Sequence, residues 1–176
     1  GSHLIYSLGI KPQIGNLGID RLGMEVTHDG FIATDQSGRT SIGNIFAIGD
    51  VTEGPQLAGK AIKQGKTAAE VICGFSSQND LTFIPHIVRT RPPIACVGLT
   101  EQEAAIQGYD VGVGEFPLGG NGFAAIIGRK EGVVKVVFEK GSDLLLGVHM
   151  IGEGAVELIS SGIVALEMAA RAEDVK

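Results

Sequence analysis

Apolar residues follow two different patterns along the chain, one before and one after the polar stretch at residues 76–80. Before this stretch, short apolar runs between glycines and polar residues are typical of buried strands. A longer segment from Leu57 to about Cys73 places apolar residues at helical spacing, and Gly74 follows it as a residue that commonly ends a helix. The pattern predicts one helix over this segment and strands at residues 4–8, 31–35 and 45–48.

After residues 76–80, the pattern predicts a sheet with two helices. Thr100 and Glu103 match a capping box, which predicts a helix that begins there and ends near Gly108. Residues 155–170 carry a wide apolar stripe, typical of a helix buried against a sheet or a partner helix. Strands are predicted at residues 111–116, 123–128, 133–138 and 144–151, with turns at Asn121-Gly122 and at residues 141–143.

The polar stretch divides the predicted elements into two groups. Residues 4–80 combine strands with a helix, which predicts an α/β region. Residues 81–176 combine an antiparallel sheet with helices, which predicts an α+β domain. Residues 1–3 are similar to the remnant of a cleaved expression tag. Because the last helical pattern is followed by no stop signal before Lys176, we expect both ends of the chain to have been cut.

The composition narrows the possible functions. Of 176 residues, 44% are hydrophobic, and 14 lysines and arginines stand against 20 aspartates and glutamates, giving a net charge of −6. No run approaches the roughly 20 apolar residues that cross a bilayer, no signal peptide is visible, and an acidic balance argues against nucleic-acid binding. We therefore expect a cytoplasmic protein that binds neither membranes nor nucleic acids. The 27 glycines indicate tight turns and close backbone approaches, as where amides meet a cofactor.

Cysteine and histidine spacing gives no sign of a metal centre. Cys73 and Cys96 have 22 residues between them, which matches neither a CxxC motif nor a zinc pattern. We expect two small buried thiols in a reducing compartment. Outside the tag remnant, His28, His86 and His149 share no helical spacing, so we predict no metal site.

The segment that carries candidate chemistry is Gly49-Asp50 at the end of the predicted strand 45–48. In α/β sheets, ligands bind at the carboxyl edge of the strands, and a carboxylate there can accept hydrogen bonds from sugar hydroxyls. The predicted helix begins seven residues later, and a helix start offers free N–H groups and a positive dipole end. This arrangement fits a nucleotide-like cofactor, although the spacing alone favours a simple turn-stabilising role for Asp50.

Five segments together resemble one family, the FAD-dependent pyridine nucleotide disulfide oxidoreductases. Residues 40–52 resemble the second flavin fingerprint, and residues 57–61, L-A-G-K-A, resemble the "LAHKA" of the dihydrolipoamide dehydrogenase branch. Residues 9–13 resemble the return from the NAD domain to the FAD domain. Residues 90–100 resemble "YTxPExAxVGLT", and residues 146–152 resemble "LGxHIxG". The five segments occur in the family's order and spacing over nearly the whole chain.

The resemblance implies FAD and NAD as cofactors. Asp50 would hydrogen-bond the ribityl or pyrophosphate part of FAD, the backbone around Leu57 would face the flavin pyrimidine edge, and Gly9 would contact the nicotinamide cofactor. Residues 81–176 would form an incomplete dimer interface domain, so a second copy is an implied partner, as is a 2-oxo acid dehydrogenase complex. The implied cofactor-binding residues are Gly9, Gly49, Asp50, Gln56, Leu57, Ala58 and Gly59.

The departures from the family pattern concern its catalytic groups. The sequence contains no CxxxxC redox pair, no GxGxxG phosphate loop and no "HPTxSE" base motif, so no catalytic residue is assigned. Gly59 stands where the family has His, and Pro93 where it has Glu. The resemblance thus implies an inactive fragment of an enzyme that oxidises dihydrolipoamide with NAD. The alternatives are a self-association module without chemistry, or another branch such as a mercuric reductase, a transhydrogenase or a glutathione reductase-like enzyme.

Overall fold

The computed structural model describes residues 1–175, so Lys176, the last residue of the predicted second domain, lies outside the described residues. The chain divides into two compact units, residues 1–81 and 82–176. Within residues 1–175, no helix is long and apolar enough to cross a bilayer.

The first unit is built around one long helix. After the short helix α1, Ile19–Leu22, the chain makes a 3-10 turn at Gly49–Val51 and then forms α2, Ala58–Ile72, which confirms the predicted helix. A small core of Ile19, Ile32 and Ala47 is buried in this unit.

The three strands predicted in the first unit do not form. Residues 4–8 are exposed and lie in no element, while segments 31–35 and 45–48 each make only one isolated antiparallel bridge. The bridges join Val26 to Ile32 and Arg39 to Phe46. A strand needs a continuous ladder of hydrogen bonds to one neighbour. The backbone hydrogen bonds of residues 31–35 instead go to three different parts of the chain, around residues 25–27, 38–39 and 51, and those of residues 45–48 go to residues 38–42.

The second unit is a five-stranded antiparallel sheet with the order β1-β2-β5-β4-β3. The sheet carries α3 and α5, which confirms the two helices predicted in this half. Its core packs Ala95, Val97 and Val148 of the sheet against Ile159 and Leu166 of α5. The elements are β1 His86–Val88, β2 Ile94–Gly98, α3 Glu101–Ile106, β3 Val111–Pro117, α4 Gly122–Ile126, β4 Val133–Glu139, β5 Leu145–Ile151 and α5 Ala155–Glu167.

Two further predictions were wrong, one for residues 121–128 of the second unit and one for the two cysteines. Residues 123–128, predicted as a strand, contain α4, and Asn121 begins this helix instead of forming a hairpin turn. The reason is local, because the Asn121 side chain accepts a hydrogen bond of 3.0 Å from the Ala124 backbone N–H, and this bond caps the helix. The expectation of two buried thiols was also wrong: Cys73 is exposed and Cys96 is half-buried.

Candidate functional site

The centre of the candidate site is a tight turn at Gly49 and Asp50. Gly49 is buried and adopts a left-handed conformation with φ of 74°, which favours glycine over residues with a side chain. A Cβ at Gly49 would lie 3.2 Å from the Cβ of Ala61 on α2, so the turn and the helix approach closely here. Thr52 closes the turn, since its hydroxyl donates a hydrogen bond of 2.8 Å to the Gly49 carbonyl.

The Asp50 side chain is exposed on this turn, and its carboxylate hydrogen-bonds to no other residue in the range 1–175. Its backbone carbonyl, in contrast, accepts a hydrogen bond of 3.3 Å from the side-chain amide of Gln56. A charged, unpartnered carboxylate on a rigid turn can accept hydrogen bonds from a ligand's hydroxyl groups.

The second part of the site is the beginning of α2. Leu57 precedes the helix in an extended conformation, and no side chain caps the helix there. The N–H groups of the first turn are therefore left without side-chain partners, at the positive end of the helix dipole. Ala58 is exposed and Gly59 has no side chain to cover the backbone, so this end of the helix is accessible to a polar or negatively charged group.

A buried polar network joins these two parts. Lys60 on α2 is fully buried, and its ammonium group donates hydrogen bonds of 2.9 Å to the carbonyls of Thr52 and Glu53. One turn further along α2, Gln64 accepts a hydrogen bond of 2.7 Å from the Gly49 N–H and donates one of 3.1 Å to the Thr52 hydroxyl. Burial lowers the pKa of Lys60, and the negative charge of Asp50 partly opposes this shift.

Sequence reasoning missed this network although a signal was present. Lys60 lies inside the "LAHKA"-like segment, and Gln64 follows it at the i,i+4 spacing that places two side chains on one helix face. A lysine and a glutamine at that spacing, on the helix face that carries buried Thr67, indicate a polar buried contact.

The structure places six of the seven predicted cofactor-binding residues in one continuous segment. Residues 49–59 contain Gly49, Asp50 and the helix start, and the network described above holds this segment against α2. Gly9 lies elsewhere in the first unit, in an exposed stretch without secondary structure, and a Cβ there would meet nothing within 4 Å. The assignment of these residues to cofactors stays a prediction.

The features of residues 49–59 fit a flavin nucleotide. The free carboxylate of Asp50 suits a hydroxyl-rich chain, the uncapped start of α2 suits a group that becomes negatively charged, and the side-chain-free backbone at Gly59 permits close approach. No group of three or more potential metal-ligating side chains is found within residues 1–175.

The second unit carries a different kind of surface. A groove of about 950 Å³ runs between the sheet and α5, and its walls are largely apolar. The groove is lined on the sheet by Val134, Val136, Val148 and Met150, on α5 by Gly162 and Ala165, and by Met168 directly after α5.

Cys96 of the second unit is not an activated thiol. Burial, with a smaller contribution from the charge of Glu103, raises the pKa of this half-buried thiol, which makes it a poor nucleophile.

Comparison with known families gives matches over both units. Residues 84–176 match the family described as pyridine nucleotide-disulphide oxidoreductase, dimerisation domain. Residues 1–65 match the family described as pyridine nucleotide-disulphide oxidoreductase.

Curated relatives named dihydrolipoyl dehydrogenase align with nearly the whole chain. The protein of Halobacterium salinarum is 44% identical, and the alignment covers 98% of this chain and 36% of the relative. The protein of Zymomonas mobilis is also 44% identical, and the alignment covers 93% of this chain and 35% of the relative. The mitochondrial dihydrolipoyl dehydrogenase of Rattus norvegicus is 37% identical, and the alignment covers 98% of this chain and 34% of the relative. The chain thus spans about a third of the length of the curated relatives it matches.

Two solved structures share the fold. The HOCl-induced flavoprotein disulfide reductase RclA from Escherichia coli superposes with a TM-score of 0.87 at 24% identity, over 94% of this chain and 38% of that chain. LpdA from Mycobacterium tuberculosis superposes with a TM-score of 0.85 at 28% identity, over 96% of this chain and 37% of that chain.

Proposed function

Because the chain belongs to the pyridine nucleotide-disulphide oxidoreductase family, we propose that it is part of a dihydrolipoyl dehydrogenase-like flavoprotein. The whole protein oxidises a dihydrolipoamide-type dithiol and passes the electrons through a redox disulfide and FAD to NAD. The observation that carries this proposal is the turn and helix start at residues 49–59, which lies within the segment aligned to relatives with that name.

In this proposal, the first unit supplies part of the flavin site. When bound, FAD would supply the two-electron redox chemistry between the redox disulfide of the whole protein and NAD. Asp50 holds the flavin by accepting hydrogen bonds from its ribityl or pyrophosphate part. The N–H groups around Leu57, Ala58 and Gly59 face the edge that becomes negative on reduction, and Gln56 fixes the turn through the Asp50 carbonyl. Gly9 contacts the nicotinamide cofactor.

The second unit serves in assembly. We assign residues 81–176 as the interface domain, with a second copy of the chain as its partner in a homodimer. The apolar groove between β4, β5 and α5 supports this role, because such a face is unfavourable in water unless a partner covers it. Binding to a 2-oxo acid dehydrogenase complex and a cytoplasmic location are further predictions for the whole protein.

Catalysis requires groups that this sequence does not contain. Its two cysteines do not form a CxxxxC pair, so no thiolate pair can react with the dithiol. The sequence also contains no GxGxxG loop, which would bind the phosphates of FAD. We therefore expect the isolated chain to bind FAD weakly and to have no dihydrolipoamide-dependent activity.

The test compares two purified proteins, the present chain and the product of the full reading frame that contains it. The full product should carry stoichiometric flavin and reduce NAD with dihydrolipoamide, while the isolated chain should do neither. A full product without flavin would contradict the proposal. Hydride transfer between nicotinamide nucleotides without a dithiol would instead identify a transhydrogenase, and reduction of mercuric ion or of glutathione disulfide would identify the other branches.

A further inference from the structure

The buried ammonium group of Lys60 has an unusual set of partners. Lys60 is fully buried, yet it makes no ion pair among residues 1–175. Its hydrogen bonds go to the backbone carbonyls of Thr52 and Glu53, both at 2.9 Å, with the Thr52 hydroxyl a further 3.4 Å contact. Burying a charge is costly unless its hydrogen bonds are satisfied, so the position of these two carbonyls is tightly coupled to the lysine.

The two carbonyls belong to the connection between the turn and the helix start. Gln64, one helical turn after Lys60, holds the beginning of this connection through Gly49, and Lys60 holds its middle through Thr52 and Glu53. The two side chains lie on the same face of α2 because of their i,i+4 spacing. Together they fix the path of residues 49–57 relative to the helix.

This arrangement leaves Asp50 available. The negative charge of Asp50 opposes the lowering of the Lys60 pKa, but the donors of Lys60 are used on the backbone, so the Asp50 carboxylate stays free for a ligand. A shorter or uncharged side chain would leave the buried Thr52 carbonyl and the part-buried Glu53 carbonyl without this donor, and the connection would have to move.

The inference rests on the proposed flavin site. We propose that Lys60 is a positioning residue for the flavin: through the carbonyls of Thr52 and Glu53 it holds the connection that sets Asp50 and the start of α2 at the distance and angle the cofactor requires. Its effect is exerted through the backbone.

The test uses the flavoprotein purified from the full reading frame, with three variants. Lys60→Met keeps the length of the side chain and removes its donors, Lys60→Arg keeps charge and donors, and Lys66→Met is the matched control. Lys66 lies on the same helix, with 77% of its side chain exposed. FAD is added to the apoproteins well below the unfolding temperature, and its dissociation constant and visible absorption spectrum are measured.

We expect Lys60→Met to weaken FAD binding by about tenfold or more and to shift the spectrum of the bound flavin, since hydrogen bonds to charged groups are among the stronger ones. Lys60→Arg should recover most of the affinity, and Lys66→Met should match the wild type. A role in stability alone would lower the unfolding temperature but leave affinity and spectrum unchanged in the folded protein.

The proposal is overturned if Lys60→Met binds FAD within about threefold of the wild type with an unchanged spectrum, or if Lys60→Arg binds as weakly as Lys60→Met. If the methionine variant does not fold, Lys60→Gln replaces it under the same criteria. If the wild-type protein binds no FAD, the proposed function itself is wrong. If the wild type binds FAD and Lys60→Met binds it equally well, only the role assigned to Lys60 is wrong.

Discussion

The backbone N–H of Gly49 donates a hydrogen bond of 2.7 Å to the side-chain oxygen of Gln64, fifteen residues later on α2. Both residues are buried, with Gln64 only 4% exposed. The turn that presents Asp50 therefore depends on one side chain of the following helix, and a buried N–H that loses its acceptor is costly.

Replacing Gln64 with Leu should destabilise the chain. The leucine fills a similar volume but offers no acceptor to Gly49 and no donor to the Thr52 hydroxyl, which Gln64 reaches at 3.1 Å. We expect the free energy of unfolding in urea to fall by about 1–3 kcal/mol. Gln102→Leu, at an exposed position of α3, is the control and should change it by less than about 0.5 kcal/mol. Equal effects of the two substitutions would contradict the role assigned to Gln64.

Gly49 itself should tolerate no side chain, for two separable reasons. An alanine at this position would have to adopt the left-handed conformation of Gly49, with φ of 74°, and its Cβ would lie 3.2 Å from the Cβ of Ala61. We expect Gly49→Ala to cost about 1–2 kcal/mol from the backbone conformation, plus a packing contribution. The free energy of unfolding is measured in urea for Gly49→Ala, Ala61→Gly and the double variant, as a double-mutant cycle. Once the effect of Ala61→Gly alone is subtracted, the double variant should regain only the packing contribution.

The control for this cycle is Gly43→Ala, since Gly43 has no positive φ and a Cβ there would meet nothing within 4 Å. That substitution should be nearly neutral. A Gly49→Ala protein as stable as Gly43→Ala would show that the turn adjusts freely.

The local patterns of the second unit could be predicted from the sequence because they are set by neighbouring residues. The capping box at Thr100 and the strands near 111, 133 and 144 need only local spacing to be recognised, and they appear as predicted. The strand predicted at residues 123–128 was wrong because a short apolar run is compatible with a strand or a helix. The hydrogen bond from the Ala124 N–H to the Asn121 side chain favours the helix.

The sequence predicted the segment that forms the candidate site but not the contacts that hold it in place. The resemblance identified residues 49–59 as one segment, and the i,i+4 spacing of Lys60 and Gln64 indicated a buried polar contact. The spacing did not show which groups they bind, because most of these partners are backbone groups of residues 49–53. Whether residues 31–35 and 45–48 form strands depends on which other segments they pair with, and the pattern of apolar residues does not show this. In the structure each segment makes one isolated bridge.

The capping box at α3 predicts a specific pH dependence. The backbone N–H and the hydroxyl of Thr100 donate to the carboxylate of Glu103, and these hydrogen bonds lower the pKa of Glu103. A carboxyl whose pKa is lower in the folded than in the unfolded state contributes stability above its ordinary pKa, here 4.5, and loses it as the pH falls through the lowered value. Glu103→Gln keeps the box geometry without the charge, so its stability should fall less than that of the wild type below about pH 4.5.

The measurement is urea denaturation at several pH values from neutral to acid. Thr100→Ala, which removes the hydroxyl, should cost about 1 kcal/mol near neutral pH and should also flatten the acid dependence. Identical acid profiles for the wild type and Glu103→Gln would mean that the charge of Glu103 contributes nothing to the helix.

The sheet of the second unit should be sensitive to substitution at Gly147, where β5 passes Leu99 in the connection between β2 and α3. A Cβ at Gly147 would overlap the carbonyl oxygen of Leu99 and lie 3.0 Å from its carbonyl carbon, and this oxygen accepts a hydrogen bond of 3.0 Å from the His149 ring. The obstacle is a backbone group that directly follows β2 and is held to β5 by a hydrogen bond of 2.8 Å from the Leu99 N–H to the Leu146 carbonyl. Because it cannot rotate away, we expect Gly147→Ala to lower the free energy of unfolding by about 3 kcal/mol. Gly119→Ala, where the nearest atom would be 3.8 Å away, should cost less than about 1 kcal/mol. If thermal and urea denaturation show the two variants to be equally stable, β5 and the start of α3 are not held as closely as these distances require.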